Sequence, residues 1–121
     1  MKKIIPILYL FCISCSDFFL TEKEIECEIP EPHFTYSENI EPILDANCTV
    51  CHNSNSQSGG LSLSSLEDFN LSNYLTPGDT TQGSILNRIQ NTQNPMPPYG
   101  LMNPENIEMI KIWILECAIE N

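Results

Sequence analysis

The chain has 121 residues, with 16 acidic against 5 basic side chains and a net charge of −11. That length supports one small domain, marginal on its own apolar area, and there is no basic patch to neutralise phosphates. Nucleic acid is therefore excluded as a partner, and direct adhesion to an anionic membrane surface is disfavoured.

At the N-terminus, Lys2 and Lys3 precede an apolar run from Ile4 to Ile13 that carries Pro6. The run is too short to cross a bilayer as a helix and has the build of a secretory signal. It ends in Phe11-Cys12-Ile13-Ser14-Cys15, which resembles a bacterial lipoprotein signal: residues 1–14 are cut away and Cys15 receives the lipid. Cys12 stands where leucine is commonest in such signals, so an ordinary cleaved leader or an uncleaved anchor is the alternative. On every version the domain is exported, to the periplasm or the cell surface, and on the lipoprotein version it is held at a membrane by its lipid. Loss of Lys2 and Lys3 takes the charge from −11 to −13, leaving Lys23, Arg88 and Lys111 as fixed cations. Beyond solubility, such acidity suits an electropositive redox partner met transiently, with steering that weakens as salt rises.

The stretch over 15–33 reads as an acidic tether. Glu22, Glu24, Glu26, Glu28 and Glu31 alternate with a few apolar residues and lead to Pro30 and Pro32, so little can be buried there. The compact domain is expected over 34–121. Ser37 can cap a helix whose stripe is Ile40, Ile43 and Leu44, and Pro42 keeps that helix short or bent.

The helix leads into Cys48-Thr49-Val50-Cys51-His52, in a chain with two histidines. C-x-x-C-H is the signature of covalent haem attachment: each thiol adds across a haem vinyl group and the adjacent His supplies the proximal iron ligand. Positions 48 and 51 fall about one helical turn apart, so both thiols face one porphyrin edge, while position 52 is turned by roughly 100° toward the iron. A structural zinc site needs four ligands, and Cys27, Cys117 and His33 offer no second ligand pair. A thioredoxin-like redox pair follows a strand, whereas a helical segment precedes Cys48. One covalent haem c is the expected cofactor.

A loop rich in Ser, Asn and Gly follows, hinged at Gly59-Gly60, then a short helix over Ser64 to Phe69, a turn at Pro77-Gly78-Asp79 and a helix over Ser84 to Gln90. In Asn94-Pro95-Met96-Pro97-Pro98, prolines hold one thioether in an extended, stiff segment suited to a sixth iron ligand. Met102 and His33 are the competitors for that position; Met102 and Met109 have ordinary core-packing roles, and His33 sits in the tether. The last helix is the clearest. Asn103 caps it, Pro104 takes the first helical position, and Ile107, Ile110, Ile114 and Ala118 share a face with Trp113 beside it. No run alternates as a strand, so the class is all-α.

Two cysteines remain, Cys27 and Cys117. In an oxidising compartment they suggest a disulfide, worth about 4–5 kcal/mol on the chain-entropy model; two unpaired buried thiols are the alternative.

Taken together, these residues resemble the small planctomycete-type c cytochrome domains, which are similar to class I cytochromes c. The likeness runs through Ile40-Glu41-Pro42-Ile43-Leu44, the C-x-x-C-H motif, Gly59-Gly60-Leu61-Ser62-Leu63, Pro77-Gly78-Asp79, Ser84-Ile85-Leu86 with Arg88, Met96-Pro97-Pro98 and Trp113-Ile114. It implies a small fold of short helices around one covalent haem, His52 proximal, Met96 distal, and the first and last helices crossing. Cys117 departs from the small residue usual after the Trp-Ile pair, which favours its pairing with Cys27. The function implied is electron transfer rather than catalysis, since two protein ligands leave no open metal position. If Met96 does not ligate, a five-coordinate haem sensor or peroxidase-like protein is the alternative.

Overall fold

The computed structural model describes Cys27, residues 33–81 and residues 84–121. The leader over 1–14, Cys15 and nearly all of the tether over 15–33 lie outside the described residues. Among the described residues no strand forms, and the regular structure is helical, in keeping with the all-α class.

The chain enters at Thr35, whose Oγ1 accepts the Glu38 N–H at 3.3 Å, while Asn39 Oδ1 accepts the Thr35 N–H at 2.9 Å. The cap expected at Ser37 is thus taken two residues earlier, and Ser37 Oγ donates instead to Asn121 Oδ1 at 2.6 Å. A wide π turn, Tyr36–Ile40, runs directly into helix α1, Glu41–Asn47. Pro42 accounts for the join. Lacking an N–H, it cannot bond back to the Glu38 carbonyl, and the Glu41 N–H reaches Tyr36 O, five residues behind.

Ser65 caps α2, Leu66–Asn70, and Ser84 caps α3, Ile85–Ile89; each side chain accepts a first-turn N–H at 3.1 Å. Asn103 Oδ1 accepts from the Glu105 N–H at 3.0 Å and starts α4, Pro104–Leu115, with proline at the first position as expected. The core lies where α4 packs on the π turn and on α3, with Ile40, Leu44, Phe69, Ile89, Ile110, Trp113 and Ile114 buried together. Trp113 is its centre rather than a flank: fully buried, its ring lies 5.9 Å from Tyr36 and 6.1 Å from Phe69.

Helix α4 stops at Leu115, short of the expected Ala118. Cys117 and Ala118 adopt φ of 70° and 53°, a left-handed conformation costing about 1–2 kcal/mol per residue. The reversal is offset by what it delivers. The Ala118 N–H meets Trp113 O at 2.9 Å, and Ile119 O accepts the Tyr36 N–H at 3.0 Å, so the tail returns to the first turn and Ala118 is buried by the reversal, not by helical periodicity. Cys27 and Cys117 are joined as a disulfide with Cα atoms 5.5 Å apart. The Pro77-Gly78-Asp79 turn docks on the same helix: Gly78, at φ 78°, donates its N–H to Ile114 O at 2.7 Å.

Candidate functional site

The C-x-x-C-H run begins where α1 ends. Cys48 and Thr49 both donate their N–H to Leu44 O, at 2.7 and 3.1 Å, and the Cys48 carbonyl then accepts from Cys51 and His52, at 3.1 and 3.0 Å. The turn thereby bridges the two thiols and sets His52 immediately beyond them. Three side chains clamp it. Asn47 Nδ2 donates to Ile43 O and Asn53 Nδ2 to Thr49 O, each at 2.7 Å, while Tyr99 Oη donates to Asn47 O at 3.2 Å. The His52 carbonyl accepts the Leu63 N–H at 2.8 Å, which folds the Ser/Gly loop back over the motif.

A cavity of about 270 Å3 opens beside this turn, bordered by Cys48, His52 and Met96. Leu61, Leu63, Ile85 and Ile89 give it apolar walls, and Arg88 is its one charged lining residue among those described. A smaller cavity of about 80 Å3 adjoins it, bordered by Cys48, Cys51, His52 and Met96 with Val50 and Tyr99. Together they fall at the lower end of the roughly 300–1,000 Å3 of ligand pockets. Met96 is held from its backbone: its N–H donates to Arg88 O at 3.2 Å, and the buried Pro97 follows it.

Sequence reasoning thus finds four residues that the fold brings together, Cys48, Cys51, His52 and Met96. Met102, the nearest competitor of Met96, is buried in the core and borders neither cavity; His33 borders neither as well. Cys15 lies outside the described residues, and Cys27 with Cys117 borders neither cavity. The sequence reading does not find Tyr74, which lines the larger cavity, or Tyr99, which clamps the motif. Tyr99 had one local signal, its place directly after the M-P-P segment; Tyr74 had none.

Residues 48–100 match the family model of the Planctomycete cytochrome C. The match supports a planctomycete-type cytochrome c domain over that segment. The matched segment opens on the first thiol of the motif and closes just past Tyr99, so it contains the cavity-bordering residues named above. No curated protein and no solved structure matches the chain.

A cytochrome c domain implies covalently bound haem c, and the residues present fit that group. Cys48 and Cys51 are free thiols in a fold that pairs two other cysteines. Burial pushes the Cys48 thiol up to about 11, so it remains protonated at neutral pH. His52 Nδ1 is buried with no hydrogen-bond partner among the described residues, a cost of about 1–3 kcal/mol unless some group engages that nitrogen. The walls are apolar enough for a porphyrin face, and the Arg88 guanidinium suits a haem carboxylate. The rival readings find less support: among the described residues no three His, Cys, Asp or Glu side chains gather as a metal set, and a helix rather than a strand precedes Cys48.

Proposed function

We propose that the protein is an exported one-electron carrier with a single haem c, tethered through Cys48 and Cys51 and ligated by His52 and Met96. The observation that carries the reading is that Cys48, His52 and Met96 of the proline-flanked segment border both of two cavities, and Cys51 borders the smaller of them. Each thiol would hold the group by adding its S–H across a vinyl group, sulfur bonding one carbon and the proton passing to the other, with no net oxidation. Cys48 keeps that proton because burial disfavours its thiolate. When bound, haem supplies an iron that takes up and releases one electron. His52 and Met96 would hold that iron between them, which would leave no metal site for a substrate and make the protein a carrier rather than an enzyme, and the soft thioether would favour the reduced state.

The leader and Cys15 support export and a lipid anchor, and the acidic surface supports electropositive redox partners reached by long-range steering. Replacing Cys15 with Ser is expected to move the protein from the membrane to the soluble exported fraction. Retention after a high-salt wash would remove the lipid from the reading.

The central test is the pair Cys48→Ala and Cys51→Ala in one chain. Covalent haem should vanish from a haem-stained denaturing gel, because the other cysteine pair at that spacing, Cys12 and Cys15, is followed by Ser16 rather than by a histidine. A stained band in the double variant would overturn the haem c assignment.

A further inference from the structure

Two neighbouring residues just past the end of α4 hold two different points of the incoming chain. The Glu116 carboxylate accepts the Phe34 N–H at 3.0 Å, and Cys117 is joined to Cys27 with Cα atoms 5.5 Å apart. The residues between Cys27 and Phe34 thus belong to a closed loop fastened at both ends in one place, and the chain before Cys27 leaves the domain from there. That root lies beside the first helical turn: Ile119 O accepts the Tyr36 N–H at 3.0 Å, and Glu120 O accepts the Ser37 N–H at 3.4 Å. The C-x-x-C-H turn stands at the other end of the same helical run, since Cys48 follows the last residue of α1. Tyr36 and Cys48 are 12 positions apart. At about 1.5 Å per residue, a little less in the wide π turn, the motif begins about 15–18 Å from the root.

We propose that the Cys27–Cys117 disulfide is a tether clamp: it fixes the membrane tether to the end of the domain opposite the C-x-x-C-H turn and takes the closed loop out of the tether's reach. The inference rests on the lipid anchor at Cys15 and on the haem reading, and it assigns the disulfide a task that serves both. Cys15 lies 12 positions before Cys27 and 19 before Phe34. At full extension these distances are about 40 and about 65 Å, so the clamp removes more than a third of the span. Between Cys15 and Cys27, Asp17, Glu22, Glu24 and Glu26 outweigh Lys23, and an anionic lipid surface repels that segment rather than gathering it in. The C-x-x-C-H turn then faces away from the lipid. A partner must bring its own redox centre within about 60 Å of the same surface, the tether and the length of α1 together.

The covalent bond also protects the fold. A pull along the tether meets the disulfide before it meets the Phe34 hydrogen bond, so the first helical turn is shielded from it. Glu116 alone gives no such protection, because one hydrogen bond would take the whole load.

Insertions on either side of Cys27 test the clamp without breaking it. The lipidated, haem-loaded protein is placed in phosphatidylcholine vesicles that carry a headgroup fluorophore quenched by haem. One variant gains twelve Gly and Ser residues after Glu22, and the other gains the same twelve after Pro30, with alkylation confirming in both that Cys27 and Cys117 have no free thiol. The first insertion doubles the maximum reach of the tether and should lower quenching at least about twofold. The second only enlarges a closed loop, at an entropic cost that grows slowly with length, and should leave quenching unchanged. With Cys27→Ser and Cys117→Ser together, the two insertions should lower quenching alike. Equal loss from both insertions while the disulfide is intact would overturn the clamp. Vesicle flotation and haem stain, run first, separate that failure from a failure of the anchor or of the haem reading.

Discussion

Reduced Met96→Ala protein is expected to bind carbon monoxide readily, at least about tenfold more fully than the wild type at the same gas concentration, and to have a lower reduction potential. Met96 borders both cavities beside His52, so loss of its thioether opens the sixth iron position that the carrier reading assigns to it. The scaffold around it does not depend on that side chain. The Met96 N–H bond to Arg88 O at 3.2 Å and the Gly100 N–H bond to Pro97 O at 3.2 Å are both backbone contacts that alanine retains. Met102→Ala is the informative contrast. Met102 is buried in the core and borders neither cavity, so its truncation should cost about 2–5 kcal/mol of stability and leave resistance to carbon monoxide intact. Absorption titrations of the three proteins with carbon monoxide decide the matter. A wild type that binds the gas as fully as Met96→Ala would make Met96 no ligand and favour a five-coordinate sensor or peroxidase-like protein.

What could be read from the sequence follows the range of the interactions involved. The C-x-x-C-H motif is contiguous, and its turn is closed by bonds no longer than one helical step, so residues 48–52 contain their own geometry. Helix α4 begins at Asn103 and Pro104 for equally local reasons, a side-chain cap and a pre-set φ. Its end was not legible. Nothing between Leu115 and Ala118 is glycine, and the left-handed turn at Cys117 and Ala118 forms because the tail bonds to Tyr36, some eighty positions earlier in the chain. The buried Glu116 is another case: its Oε2 accepts the Phe34 N–H at 3.0 Å across a separation of 82 positions. Thr35 and Ser37 are both competent caps on paper, and the choice between them is made by Asn39 and by that returning tail. The cavity walls show the same limit. Leu61, Leu63, Ile85 and Ile89 are ordinary apolar residues in sequence and become one wall only when α3 and the loop after His52 pack together.

The largest loss of stability is expected at Trp113. Its side chain is fully buried between Tyr36 and Phe69, and its Nε1 donates to Ile119 O at 2.9 Å, which fixes the tail that in turn holds the first helical turn. Trp113→Ala removes the ring contacts and that hydrogen bond at once, leaving a cavity that α4 and the π turn cannot close without moving together. A cost of about 3–5 kcal/mol follows from buried tryptophan truncations, against a total stability of about 5–15 kcal/mol for a domain. Trp113→Phe separates the two contributions. It keeps an aromatic ring in the core and loses the bond to Ile119 O, so it should cost less, the hydrogen bond itself contributing about 0.5–1.5 kcal/mol. Denaturant unfolding of the haem-loaded, disulfide-intact proteins measures both. An alanine variant within about 1 kcal/mol of the wild type would mean that the covalent tethers, rather than the Trp113 core, hold the helices in place.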